Sequence, residues 1–526
     1  MTQILSEEVS PLWFLTAIVV VAYTTVRYLR SPWRNLPPGP RGLPLIGNLL
    51  ELRGKQWLTF TELGRKYGDI MYFNLAGQPL VVLNSLKVAA DLLDRRAGKF
   101  SDRPRNIVAS DILTGGNMFP FAHYGEVWRR MRKAAHEGLN KAVVYRYHSI
   151  QTAEAVLLTA GVLAEPEKWD SHLRRTAASA TMSVVYDTPP TSEQDPSIKN
   201  INDFVSRITR AAKPGAHFVT CIDDFLIRYA KWKREAEESY AKDSAMFEGL
   251  FNVVKDRVAK GDERPSLAST LIQDAGRHNL TEKENSWLAA TMYAGGSDTS
   301  SATMSWWTLA MVVYPETQKR AQAELDAVVG RDRLPSFADY EHLPYIRAMI
   351  KEILRWCAIA DIPDSDSRSL GIPHRSTEDD VYNGYFIPAG TILIANAWHL
   401  NRDPEMYGLD AEHFNPARHL DKDGKLDPGS AATKEESHVT YGFGRRICVG
   451  RHIANNTLFI DIAMMLWAMN IERATDENGV PLPLDVGGCV EEGLVNRPVP
   501  FKAKITPRFR EAQAIVEQEQ ELLGYH

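Results

Sequence analysis

Cysteine is scarce. Cys221, Cys357, Cys448 and Cys489 are scattered through 526 residues. Neither a disulfide framework nor a zinc spacing can be drawn from them, and a reducing compartment fits. Neither sign of charge is in excess. Against 61 Lys and Arg stand 66 Asp and Glu, giving a net charge of −5 and a pI near 6.3, which offers no support for nucleic-acid binding. No internal repeat is present, so solenoid architectures drop out. Length alone would suggest about three or four domains, but no linker divides the chain after its N-terminal part. One large domain is the better reading, and 44% hydrophobic content is ample for its core.

The N-terminus lacks what a cleaved signal peptide needs. It starts acidic, with Glu7 and Glu8, and shows no small-x-small site before Arg27. Leu12 to Val26 is free of charge, and apolar character extends to Leu29, near the short end of the ~17–25 residues that span a bilayer. Arg27, Arg30 and Arg34 follow, so the positive-inside rule places the remainder in the cytosol. The expectation is a lumenal tail (1–11), a single transmembrane anchor (12–29) and a stiff proline-rich linker (30–45) containing Pro37, Pro38, Pro40 and Pro44.

Beyond the linker, Ile70–Leu75 and Leu80–Leu83 around Ala76-Gly77-Gln78-Pro79 read as a β-hairpin. Ser85 would cap a short helix through Arg95, and Trp128 to Leu139 reads as a basic amphipathic helix. Helical patterns dominate from there to Tyr314, and Ser376 to Ile394 turns β-like. Asp421 to Ser437 is a polar, structureless run, and the polar C-terminal tail (511–526) forms a helix of unread role. The fold class expected is mainly α with small β-sheets.

Tyr441-Gly442-Phe443-Gly444-Arg445-Arg446-Ile447-Cys448-Val449-Gly450 concentrates the chemistry. Its glycines permit tight turns and close approach of a flat ligand. The apolar-periodic segment Arg451 to Met469 predicts a helix whose positive end, with Arg445 and Arg446, favours thiolate over thiol at Cys448. Such a thiolate suits a haem iron as anionic axial ligand. The stretch resembles the haem-binding loop of the cytochrome P450 family, F-x-x-G-x-R-x-C-x-G. Tyr441 stands at the usual Phe position, and Gly444, Arg446, Cys448 and Gly450 match.

A second stretch agrees. Thr281 and Glu284 make a capping-box pattern opening a helix that should run to Pro315. In its middle lies Ala294-Gly295-Gly296-Ser297-Asp298-Thr299-Ser300. Two interior glycines cost about 1 kcal/mol each and suggest a local opening beside a hydroxyl and a carboxylate able to relay protons. This is similar to the family's oxygen-activation motif, [A/G]-G-x-[D/E]-T-[T/S], which implies catalytic roles for Thr299 and Asp298 and a haem-facing role for Gly295 and Gly296. Glu352 and Arg355, on one helical face from Tyr345 to Cys357, resemble the family's buried E-x-x-R pair, with Arg418 as its third, structural member. Ala417 departs from the Glu often found there.

The resemblance also implies propionate contacts from Trp128, Arg132, Arg446 and His374, with Arg375 substituting for or adding to the last. Arg129, Arg130, Lys133 and Arg445 form a basic face, part of which would dock an acidic electron donor. One departure concerns 358–369, which is longer than the family's usual segment and carries Asp361, Asp364, Asp366 and Arg368. Unpaired carboxylates in a dry pocket are costly, so this loop either bulges to solvent or marks an unusual pocket, unless it is a gene-model artefact.

Taken together, the resemblance implies a haem-thiolate monooxygenase domain over 46–510, anchored at the endoplasmic reticulum membrane with the catalytic domain cytosolic. Haem b would be its cofactor. Electrons from NADPH would arrive through NADPH–cytochrome P450 reductase, with cytochrome b5 as a further donor, and one atom of O2 would enter a C–H bond of a small lipophilic substrate. The wording of Leu370–Arg375 and of Tyr441–Asn456 is most similar to fungal microsomal members, a group that includes enzymes of the O-methylsterigmatocystin oxidoreductase type, in secondary metabolism or xenobiotic oxidation. Two other classes stay open: a haem-thiolate isomerase, dehydratase or peroxygenase, which usually loses the acid–Thr pair, and a non-catalytic haem or ligand-binding protein. Pocket residues fall in segments such as Asn106–Pro120 and Phe204–Val219, which do not name the substrate.

Overall fold

β-Branched and aliphatic residues on both sides of a two-residue turn make the first sheet. Strands β1 (Ile70–Leu75) and β2 (Gln78–Leu83) pair antiparallel, Leu75 opposite Gln78. The turn is tighter than the sequence suggests, because Ala76 and Gly77 both take positive φ and Gln78 and Pro79 already lie in the strand. β6 (Ile392–Ala395) joins parallel to β2, and β3 (His374–Arg375) pairs antiparallel with β6, giving the order β1-β2-β6-β3. Among the described residues three two-stranded ribbons complete the β structure: β4 (Asp380–Tyr382) with β5 (Tyr385–Ile387), β7 (Met469–Arg473) with β10 (Ala503–Pro507), and β8 (Cys489–Glu492) with β9 (Val495–Pro498).

Helices form the rest. The longer ones are α1 (Pro11–Leu29), α2 (Gln56–Tyr67), α3 (Glu126–Leu139), α4 (His148–Ala164), α5 (Trp169–Tyr186), α6 (Pro196–Ala212), α7 (Lys231–Ala259), α8 (Glu282–Val313), α9 (Pro315–Val328), α10 (Pro344–Trp356), α11 (Arg451–Ala468) and α12 (Ala512–Leu522). The computed structural model describes residues 11–52, 54, 56–188, 196–212, 231–262, 264–357, 371–434, 436–492 and 495–524. The expected acidic loop at 358–369, Cys221 and the second half of the Phe204–Val219 segment lie outside the described residues.

α8 organises the interior. The capping box at its start is made on both sides: Glu284 N–H donates to Thr281 Oγ1 at 3.2 Å, and Thr281 N–H donates to Glu284 Oε2 at 2.7 Å. Its 32 residues reach about 48 Å at 1.5 Å per residue. Trp287, Leu288, Ala289, Ala290, Tyr293 and Ala294 belong to one hydrophobic cluster, with Trp128, Phe204 and Phe247. Met304, Trp306, Trp307, Leu309 and Val312 belong to another, with α4, α10 and α11. Between the two, Gly295 to Ser300 are only half-buried. The core is therefore divided where the glycine pair stands.

The ends of the chain depart from the sequence reading. Among the described residues no helix is long and apolar enough to cross a membrane, so the transmembrane expectation for 12–29 gains no support from α1, which covers it. The proline stretch is not a free spacer: Pro37 is buried, and Tyr72 N–H donates to Pro38 O at 2.9 Å. α12 packs on α4 and buries Ala512 and Val516 completely. Those two residues are four apart and so share one face of the helix, with Ile515 packed beside them.

Candidate active site

Cys448 sits in the loop between a 3₁₀ turn, Gly444–Arg446, and the first residue of α11. Gly444 has φ +58°, and a Cβ there would lie 2.0 Å from Leu93 O, so only glycine fits. At Gly450 an added Cβ would meet nothing within 4 Å; the space beside the cysteine is open. Cys448 N–H donates to Tyr441 O at 2.8 Å, and Tyr441 Oη donates to Asn455 Oδ1 at 2.7 Å, which fixes the loop against α11. The Cys448 side chain is accessible, yet desolvation by surrounding protein is the largest influence on its thiol. A sulfur that is both enclosed and accessible faces an internal void.

The expected thiolate bias needs correction. Burial raises the Cys448 thiol above its ordinary value, and the Gly450 N–H and the charges of Arg132 and Arg451 only partly oppose this. The cations with the largest effect are Arg132 and Arg451, not the adjacent Arg445 and Arg446. Arg445 reaches the Tyr124 hydroxyl. Arg446 donates to Ser101 O at 2.8 Å and Ala122 O at 2.7 Å.

The far side of the void belongs to α8. Val449 shares a cluster with Tyr293 and Ala294. Cys357 hydrogen-bonds Thr303, and Tyr441 senses both Cys357 and Cys448, so the Cys loop, the end of α10 and the middle of α8 converge. The helix does not break at the glycines. It runs through them, and Thr299 Oγ1 donates to Gly295 O at 2.7 Å. Room comes instead from missing side chains: a Cβ at Gly295 would meet nothing within 4 Å, whereas one at Gly296 would lie 2.8 Å from Thr181 Cγ2. Gly296 is thus a packing residue, and Gly295 faces the opening.

The expected propionate residues gather beside the loop, with one addition. Arg132 Nη1 donates to Ile447 O at 2.6 Å. Arg446 lies over the Trp128 ring, 4.1 Å to its centroid. Trp128 is less of a donor than expected, because its indole N–H already donates to Phe119 O at 3.2 Å. His374 Nδ1 contacts Phe100 O at 2.7 Å, and burial, then Arg103 and Arg446, push its pKa down to about 3. The ring is neutral, so Nε2 can donate to a carboxylate only once that carboxylate has drawn a proton to it. Arg375 is half-exposed and lies 3.6 Å from Asp102.

Arg103 is the residue that sequence reasoning missed. It is 5% exposed and donates to Pro120 O at 2.9 Å, Ile372 O at 2.8 Å and Pro373 O at 2.7 Å. Its partners are carbonyls distant in sequence, so no spacing announces it. Burial lowers the pKa of Arg103 well below its ordinary value, that of Arg132 to about 10 and that of Arg446 to about 9. Among the described residues none of the three has a carboxylate within salt-bridge distance. Asp102 offsets only part of the charge of Arg103 and Arg446, and an excess of buried positive charge is costly. A planar group carrying two carboxylates and an open metal position suits this arrangement of guanidiniums, an accessible sulfur and open space at Gly295.

Below the cysteine, Glu352 and Arg355 are both fully buried and joined by two bonds, Nη2 to Oε1 at 2.7 Å and Nε to Oε2 at 2.8 Å. Arg418 Nε lies 3.1 Å from Glu352 Oε1, as expected. His419 Nε2 adds a fourth member at 2.8 Å from Oε2. Although burial opposes it, these partners hold the Glu352 carboxyl well below the usual range. A separate group, Glu137, Asp274 and His278, brings possible ligand atoms within 4.8 Å of one another, but Arg277 already bridges both carboxylates, so it is an ion-pair cluster.

Comparison with known proteins agrees with this geometry. The cytochrome P450 family model matches residues 37–504. A cytochrome P450 monooxygenase of Armillaria gallica is 84% identical over the whole of both chains. A second from the same fungus is 69% identical over 98% of this chain and 99% of its own length. One from Postia placenta is 46% identical over 92% and 91%. A haem iron cofactor follows from the family. With the accessible Cys448 sulfur, the buried guanidiniums and the opening at Gly295 all in place, the chain belongs to the cytochrome P450 family, as one of its monooxygenases.

Proposed function

We propose that this chain holds haem b between α8 and the Cys448 loop and inserts one oxygen atom from O2 into a C–H bond of a small lipophilic molecule. The observation that carries the reading is the accessible Cys448 sulfur within surrounding protein, with open space beside it at Gly450 and on α8 at Gly295. Arg103, Arg132 and Arg446 would take the propionates, helped by His374 once protonated and by Arg375, while Trp128 supplies the platform under Arg446. When bound, a haem iron with an anionic sulfur ligand supplies activation of dioxygen. Binding such an iron would favour thiolate over the thiol that burial favours, and the Gly450 N–H and Arg132 are placed to stabilise the sulfur's charge.

On the other side, Thr299 and Asp298 would handle protons. Thr299 Oγ1 gives its own proton to Gly295 O, which leaves its lone pairs facing away as acceptors for a donor in the opening. Electrons would come from NADPH through NADPH–cytochrome P450 reductase, with cytochrome b5 as a further donor. The exposed Arg129, Lys133 and Arg445 lie on the Cys448 side and suit an acidic partner. Retention at the endoplasmic reticulum membrane with the catalytic domain in the cytosol rests on the apolar N-terminal segment, where Leu15, Ile18, Val19, Val20 and Val21 are exposed. A role in secondary metabolism or xenobiotic oxidation rests on the resemblance to fungal members.

The test is reconstitution with the reductase, NADPH and isotopically labelled O2 against a library of lipophilic small molecules. Label in a product, dependent on both reductase and NADPH, is the expected outcome. Turnover that needs no reductase would replace this reading with a peroxygenase or isomerase.

A further inference from the structure

Arg497 has no part in the reading above, yet it is among the most enclosed charges in the protein. It stands on β9, opposite Val490 of β8, and is 2% exposed. Its guanidinium is fully directed. Nη1 donates to Ser301 Oγ at 2.9 Å, and Nη2 donates to Asp170 Oδ1 at 2.6 Å and to Ser305 Oγ at 2.7 Å. Asp170, on α5, also accepts from Ser305 Oγ at 2.7 Å and from Arg174 Nε at 2.8 Å. The preceding residue of β9 is tied to α8, the helix that carries Ser301 and Ser305, since Trp306 Nε1 donates to Asn496 O at 3.0 Å.

Ser301 is the link to the chemistry. Its hydroxyl accepts from Arg497 and donates to the backbone carbonyl of Asp298 at 3.1 Å. A hydroxyl that accepts from a cation is a stronger donor in its turn. The Asp298 carbonyl is thereby held by a side chain as well as by the helix, and such back-bonds to i−3 or i−4 carbonyls bend helices. The peptide so fixed joins Asp298 to Thr299. We infer that Arg497 is a positioning residue for proton delivery: through Ser301 it sets the orientation of the Asp298–Thr299 peptide, while Asp170 and Ser305 hold the guanidinium in place. The inference rests on the reading of Asp298 and Thr299 as proton-handling groups.

A lysine cannot reproduce this function. Its single ammonium can keep the Asp170 charge pair but cannot fork to Ser301 and Ser305 together. Arg497→Lys therefore separates the packing and charge of the site from its reach to Ser301, and Ser301→Ala removes the link with the smallest possible change of volume.

The test needs no substrate and has a readout besides turnover. In the haem-free chain, exchange of the Thr299 amide hydrogen should quicken in both variants if Ser301 holds the Asp298–Thr299 peptide, and unchanged exchange in both would contradict the inference. The haem-loaded full chain, driven by reductase and NADPH alone, reduces O2 to hydrogen peroxide (O2 + NADPH + H⁺ → H2O2 + NADP⁺) or to water (O2 + 2 NADPH + 2 H⁺ → 2 H2O + 2 NADP⁺). Reduction to water takes up twice as many protons per O2 as reduction to peroxide, so at equal folded haem protein the peroxide yield per NADPH reads proton delivery and not stability. Comparison is made at equal amounts of folded haem protein, counted by the ferrous–CO spectrum. Ser301→Ala and Arg497→Lys are each expected to raise the peroxide yield by about twofold or more, as general-acid delivery is weakened, and to change its solvent deuterium isotope effect. A yield and isotope effect unchanged in both variants, with wild type active, would overturn the inference. If instead Thr299→Ala leaves the partition at the wild-type value, or wild type takes up no haem, the underlying reading fails first.

Discussion

Arg355 Nη1 donates to Asn401 O at 2.8 Å, and Asn401 carries that contact to the cysteine loop. The Asn401 side chain accepts from Val439 N–H at 2.9 Å and donates to Thr440 Oγ1 at 3.0 Å. Thr440 in turn donates to Leu354 O at 2.6 Å. The charge cluster on α10 and the segment leading into Tyr441–Cys448 are thus one connected unit. Buried charge holds the loop that presents the sulfur.

Breaking that unit should be severe. Glu352→Gln leaves Arg355 buried without its carboxylate, while Arg418 keeps only Asp410, and loss of one partner of a buried pair costs about 3–5 kcal/mol. Urea denaturation should show a midpoint shift of that size, accompanied by loss of bound haem. A stable variant with normal haem content would show the cluster to be dispensable.

The loop's own backbone gives a second test. With Gly444 at φ +58° and Leu93 O where a Cβ would go, Gly444→Ala should cost at least about 1–2 kcal/mol in backbone strain alone. Gly450→Ala meets no protein atom within 4 Å, so it should leave the stability of the haem-free chain nearly unchanged while lowering haem uptake. Thermal denaturation without haem and a haem titration separate the two.

Arg103 should matter for cofactor retention. Arg103→Gln keeps part of the hydrogen bonding to Pro120 and Pro373 but loses the charge. A charged hydrogen bond is worth about 1.5–3 kcal/mol, so transfer of haem to apomyoglobin should quicken by about tenfold or more. Equal transfer rates would place the propionates elsewhere.

Much of this was legible from residue type and spacing. The Thr281–Glu284 capping box, the glycine pair of α8, the Glu352–Arg355 pair and the cysteine loop all act within a turn or two of chain, where spacing dictates geometry. Arg103 and His419 were not legible, because their partners come from remote segments. The cations that act most on Cys448 are hidden for the same reason: adjacency points to Arg445 and Arg446, whereas the largest contributions come from Arg132 on α3 and Arg451 on α11. Trp128 stood at the expected position, but its N–H was claimed by the Phe119 carbonyl, which a sequence pattern does not display.

A pH effect follows from Asp461. Burial first, and Glu154 second, hold its carboxyl well above the usual range, against the pull of Arg175. A group whose folded pKa is raised holds its proton more tightly in the native state. Its stabilising effect is complete below the unfolded value of about 3.9 and is lost as pH rises towards the folded value. Asp461→Asn should therefore raise Tm relative to wild type near about pH 8 and give little or no gain near about pH 4. Thermal scans at both values check this, and an equal shift at both would contradict it.

The most direct measurement is the ferrous–CO difference spectrum of the haem-loaded chain beside Cys448→Ser. Wild type should show a Soret band at the red-shifted position of thiolate ligation, and the serine variant should lose it while retaining its fold. A wild-type band at the imidazole-like position, or a serine variant indistinguishable from wild type, would mean that Cys448 is not the iron's ligand.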